Sequence, residues 1–150
     1  MFQLKTEDRL RSWREFRYSI NNLNLEQALR RTVELWARAP FTPYNLDINT
    51  PENWPDPWQL VEENVYCDIA KSLGIMYTIM LTDHRSELTA EFRCYQDDET
   101  RYEYNLSWFN DGKYITNLVD NEIINIKQFN ESLKLLHVYS ADEIKIKNYY

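Results

Sequence analysis

Residues 53–81 read NWPDPWQLVEENVYCDIAKSLGIMYTIML, and the fold reading turns on this stretch. Asp56 has the chemistry of a helix N-cap, Pro57 suits the first helical position, and Gln59 stands where a capping box needs it. Trp58, Val61, Val65, Ile69 and Leu73 then recur on one face, so the spacing predicts a helix over 58–74. Gly74 reads as its left-handed stop. Glu62, Glu63 and Lys71 fall off the apolar face. From Ile75 to Thr82 the apolar residues lose helical spacing and read as a strand.

Downstream, 87–96, 101–109 and 113–119 read as further strands, joined by the short polar links DHRS, DDET and NDG. Links of this length join antiparallel neighbours. Phe129, Leu133 and Leu136 suggest a short helix, and 143–149 a last strand. Upstream, residues 6–18 carry Leu10, Trp13 and Phe16 at helical intervals. Asn24 with Gln27 forms a capping box before Leu25, Ala28, Leu29, Val33 and Trp36, a helix ended by Pro40. The expectation is one α+β domain spanning 1–150. It has a helical segment 1–39, an ordered loop 40–57, a helix 58–74, and a four- to five-stranded antiparallel sheet with a C-terminal helix or strand over 75–150.

All five prolines lie between Pro40 and Pro57, in a segment also holding Phe41, Tyr44 and Trp54. Fixed φ angles and missing amide donors exclude ordinary helix or central strand there. An ordered loop of this length is often a working surface. The chain carries five Trp, eleven Tyr and six Phe, the residue types that enrich at protein interfaces.

Composition removes several function classes. Two glycines, Gly74 and Gly112, are too few for a phosphate-cradling loop, so no nucleotide cofactor of the usual kind is expected. Net charge is −7, with +3 over residues 1–38 and −10 over 39–150, and this acidic bulk argues against nucleic acid as partner. No apolar run approaches the roughly 20 residues of a membrane span, and MFQLKTEDR lacks the apolar core of a signal peptide, so no membrane partner is expected. Cys67, Cys94, His84 and His137 show no metal-ligand spacing, and no metal or cofactor is expected. Asp97, Asp98 and Glu99 could hold a calcium ion in a turn, but a solvated hairpin tip is the better reading.

One arrangement does carry chemistry. A helix bearing Cys, followed by antiparallel strands bearing His and then an acid, is the order of transglutaminase and papain-like folds. Cys67, His84 or His137, and Asp111 or Asp120 can be cast in these roles, and YCDIAKSLGI resembles the transglutaminase core around its Cys. Against it, the predicted helix puts Cys67 some ten residues from a helix N-terminus, where a thiol is not activated. A buried small hydrophobe is the better reading of Cys67.

The segment 53–81 is also similar, through W-P-x-P-W, Y-C-D and L-G-I-x-Y-T, to a stretch in small proteins of tailed marine bacteriophages. That resemblance implies a virion-associated or assembly protein, made in the host cytoplasm and located in the virion at a neck, tail or baseplate. Such a protein acts through contacts with other virion proteins or as a homo-oligomer. Its contact residues are expected among Phe41, Tyr44, Trp54, Trp58, Arg9, Arg14 and Arg17, and it is expected not to be an enzyme. The alternatives are the cysteine enzyme on Cys67, His84 and Asp111, and a carbohydrate-binding module using Trp54 and Trp58.

Overall fold

A fully buried helix forms the centre of the molecule. In the computed structural model, which describes residues 1–130 and 132–145, α4 (Asp68–Met80) is buried at every position from Ile69 to Met80. Helices α1 (Thr6–Ile20), α2 (Leu25–Ala37) and α3 (Pro57–Glu63) surround it on one side. On the other side lies a five-stranded antiparallel sheet of order β4-β3-β2-β1-β5. Its strands are β1 (Ala90–Asp97), β2 (Glu103–Phe109), β3 (Tyr114–Thr116), β4 (Ile123–Ile124) and β5 (Leu133–Ser140). The α+β class and the antiparallel sheet are as the sequence predicts.

Several elements differ from expectation. The helix over 58–74 is two helices. Asn64 takes the left-handed conformation at φ 55° and ends α3, and its Nδ2 donates to the Phe2 carbonyl at 3.0 Å. Asn tolerates that conformation better than most residues. Tyr66 then runs extended beside Phe41, and α4 starts afresh with Cys67 as its N-cap. The strand expected over 75–82 is the second half of α4. A helix buried on all sides has no polar face, so its sequence shows no 3.6-residue period. The short helix expected around Phe129–Leu136 is the loop before β5 and the start of β5 itself. β5 pairs along β1 from Asp97↔Leu133 to Glu91↔Ser140. Of the strand expected over 143–149, residues 143–145 lie in a turn, and the rest falls outside the described residues.

Gly74 is not a stop but a contact. A Cβ there would stand 2.5–2.6 Å from three ring atoms of Trp36, inside any permitted approach. Trp36 is 1% exposed and has nowhere to retreat. Gly74→Ala is therefore expected to destabilise the protein by about 1–3 kcal/mol despite the better helix propensity of Ala. A urea midpoint at or above that of the wild type would contradict this packing.

The two sheet faces have separate tasks. Phe92, Cys94, Asn105, Ser107 and Phe109 meet the helices, with Ser107 Oγ donating to the Ser72 carbonyl at 2.8 Å. Tyr95, Leu106, Trp108 and Ile115 form a second small core on the reverse face, closed by Phe129. The order α4, β1, β2, β3 brings the head of α4 against the start of β2 and the end of β3.

Candidate active-site cleft

At the head of α4 three elements meet. Cys67 is the N-cap residue and its side chain makes no capping hydrogen bond. The first intrahelical bond runs from Lys71 N–H to the Cys67 carbonyl at 3.0 Å, leaving the amides of residues 68–70 without helical partners. Such amides, with the positive end of a 13-residue helix, favour an anion at this point. Cys67 is 4% exposed.

Asp68 ties this helix end to the sheet. Its Oδ2 accepts from the Asn105 amide at 3.2 Å and from Asn105 Nδ2 at 3.0 Å. Asn117, at φ 71° just after β3, donates its Nδ2 to the Asp68 carbonyl, to Asp68 Oδ1 and to the Asn105 carbonyl. Burial pushes the Asp68 carboxyl above the usual range, and these donors pull it partly back. A cleft of about 460 Å³ opens over this junction, lined by Phe41, Asp68, Lys71, Tyr102, Tyr104 and Asp120 among others. Phe41 and Tyr102 are 61% and 57% exposed at its rim. Behind Cys67, the Tyr66 phenol is buried without a hydrogen-bond partner, and burial raises it to about 12.

Of the residues cast for cysteine chemistry, Cys67 and Asp120 are at this junction, Asp120 lining the cleft and Cys67 at the helix head beside it, outside the lining. His84 is not. Cys67 precedes the first residue of α4 and His84 follows the last, so about 20 Å of helix separates them. The His84 ring bridges the Ile20 carbonyl and Glu87 Oε2, both at 2.9 Å, and fastens α1 to the turn after α4. Asp111 lies in the turn beyond the far end of β2, at φ 55°. His137 sits on edge strand β5, stacked on Tyr139 with its Nδ1 3.4 Å from Tyr139 Oη. Neither imidazole makes a hydrogen bond to Cys67.

The other cysteine is a core residue. Cys94 is fully buried on β1, and burial raises its thiol to about 12, helped by Glu103 and Asp68. With Cys94 and Tyr66 both above their ordinary values of 9.0 and 10.0, folding favours their neutral forms. That stability is complete below the unfolded values and is lost as pH rises toward 12. Thermal melts should show Tm falling from pH 9 upward, and Cys94→Ala should flatten the fall; an identical slope in the variant would refute it.

The contact residues expected from the sequence divide sharply. Phe41 and Tyr44 are exposed, Tyr44 almost wholly. Trp54 is buried at 1%, packed on Phe92 and Tyr139 with its Nε1 donating to the Asp47 carbonyl. Trp58 is half-buried edge-on to Trp13. These two rings offer no paired exposed platform, which removes the carbohydrate-module reading. Arg9 is buried and donates to the Val61 and Glu62 carbonyls at 2.7 and 2.8 Å, capping the end of α3. Arg17 lies over the Trp13 ring at 4.2 Å. Arg14 is exposed on α1. The sequence reading missed Lys71, which it placed off the apolar face, and the Asn105–Asn117 pair. Asp68 in a first helical turn was the available signal for a helix starting at Cys67.

No family model and no curated protein matches the sequence. Among solved structures the chain is similar to calcium-bound Legionella pneumophila LapG, with a TM-score of 0.74 and 11% identity, over 92% of this chain and 77% of that one. A second LapG structure from the same organism matches with a TM-score of 0.73 and 11% identity, over 91% and 75%. LapG is a cysteine protease of transglutaminase-like fold. Among the described residues no three His, Cys, Asp or Glu side chains converge to hold a metal ion. The fold likeness overturns the expectation of a virion structural or assembly protein and of a chain that is not an enzyme. The objection to Cys67 also falls, because the break at Asn64 puts it at a helix N-terminus.

Proposed function

We propose that this chain is a cysteine-dependent enzyme of the acyl-transfer or hydrolytic class, with Cys67 as the nucleophile of a transglutaminase-like core. The observation that carries the reading is the position of Cys67 as the N-cap of the buried helix α4, in a fold shared with LapG over 92% of the chain. A thiol at a helix N-terminus loses its proton more readily than a free one, and the thiolate is the attacking species. It would add to the carbonyl of an amide or ester. The unpaired amides of residues 68–70 are placed to hold negative charge at the helix end. Collapse expels the amine or alcohol and leaves a thioester on Cys67, and water or an acceptor amine then releases the acyl group.

The junction of Asp68, Asn105 and Asn117 supports this chemistry by position. It fixes the first turn of α4 to β2 and to the end of β3, so the thiol and the helix amides hold one geometry. The test is a panel of p-nitrophenyl esters and short peptides, with and without an acceptor amine. Burst release of nitrophenol followed by slower turnover is expected, the signature of an acyl-enzyme. Release at the rate of the protein-free blank for every donor would overturn the reading.

A further inference from the structure

In this fold order the partner of the thiol is an imidazole, and this cleft holds none. It holds Lys71 instead. We propose that Lys71 is the cation that keeps Cys67 ionised and the acid that protonates the leaving group, an inference that rests on Cys67 being the nucleophile.

Three observations converge on it. Lys71 is 7% exposed, more than nine-tenths buried, yet lines the cleft. Among the described residues its ammonium has no hydrogen-bond or carboxylate partner; its one neighbour of note is the Phe41 ring, 5.8 Å from Nζ to centroid. Its stem is buried and its ammonium opens to the cleft. Finally, it stands four residues after Cys67, bonded amide to carbonyl, one helical turn along. Side chains on a helix lean toward its N-terminus, so Lys71 leans toward the turn that Cys67 begins. Phe41, under the ammonium, bridges to Tyr66, the residue before Cys67.

The proton balance is complete with these two groups. The resting pair is thiolate and ammonium. The thiolate adds to the acyl carbonyl; the ammonium gives its proton to the departing amine, leaving thioester and neutral amine. That amine takes a proton from the attacking water. The tetrahedral adduct then expels the thiolate, restoring the pair and releasing the acid. A lysine serves the same double purpose beside serine in other hydrolases.

The measurement is the pH dependence of iodoacetamide alkylation, followed by peptide-resolved mass spectrometry on the intact folded protein, for wild type, Lys71→Met and Lys71→Arg. Thermal melts check that each variant is folded. The other ionisable groups facing Lys71 are Asp68 on its own helix, Tyr102 and Tyr104 from β2 and its approach, and Asp120 from the segment after β3. All are unchanged in these variants. In wild type the Cys67 midpoint should lie below the roughly 8.5 of a free thiol. Lys71→Met should raise it by about one unit or more, slowing labelling roughly tenfold at neutral pH. Lys71→Arg should keep the low midpoint and still release nitrophenol from activated esters, whose leaving group needs no proton, but lose turnover of peptide amides, because arginine holds the charge and does not release a proton.

A low Cys67 midpoint that Lys71→Met leaves in place would overturn the role of Lys71 while leaving Cys67 as the nucleophile. A Cys67 that labels only on unfolding would overturn both.

Discussion

Thr78→Val is expected to destabilise the protein by about 2–6 kcal/mol, because two buried indole donors would each lose their acceptor. Thr78 is fully buried in α4, and its Oγ1 accepts from Trp13 Nε1 at 3.0 Å and from Trp36 Nε1 at 2.9 Å. Its own proton goes to the Gly74 carbonyl at 2.6 Å. One hydroxyl thus fastens α1 and α2 to the central helix. Valine has the same shape and no acceptor, so packing is kept and the hydrogen bonds alone are lost. At roughly 2–4 °C per kcal/mol for a chain of this size, Tm should fall by about 5–20 °C. Thr78→Ser keeps the acceptor and should recover most of the loss. A valine variant that melts with the wild type would show that the indoles find other partners.

Cys67→Ala is expected to have the largest effect on function, a loss of turnover on the order of 10³-fold or more, because the covalent route disappears with the nucleophile. Its effect on stability should be small, about 1 kcal/mol or less, because the Cys67 side chain makes no capping bond to lose. The contrast between the two readouts is what gives the variant its value. A buried structural cysteine would show the reverse, with stability lost and turnover kept. Steady-state rates and thermal melts on one preparation decide between them.

The sequence was legible where local chemistry and global fold agree. The capping boxes at Asn24 and Asp56 are both present, and Pro57 occupies the first helical position. The antiparallel pairs β1–β2 and β2–β3 follow from the short polar links DDET and NDG, whereas DHRS joins α4 to β1. It was misread where burial erases periodicity. Ile75–Leu81 offers a helix and a strand the same apolar run, and only the surrounding layers decide for helix. The break between α3 and α4 rests on one left-handed Asn and on Arg9, which caps α3 from 52 residues away. No window of sequence shows that contact. The site depended on the same break, since a continuous helix puts Cys67 in its middle and Lys71 on its surface. Splitting the helix turns the first into an N-cap and the second into a buried cation. The two histidines misled for a simpler reason. Both have the chemistry, but His84 fastens α1 to the turn after α4 and His137 stacks on Tyr139 within the edge strand β5.

Rapid quenching of the wild-type protein during turnover of a p-nitrophenyl ester, followed by intact-mass and peptide analysis, tests the central claim most directly. One acyl group should appear per chain, on the peptide holding Cys67 and not on that holding Cys94, and hydroxylamine should remove it as a thioester. Turnover with no acyl group on Cys67, or with the group on another residue, would contradict it.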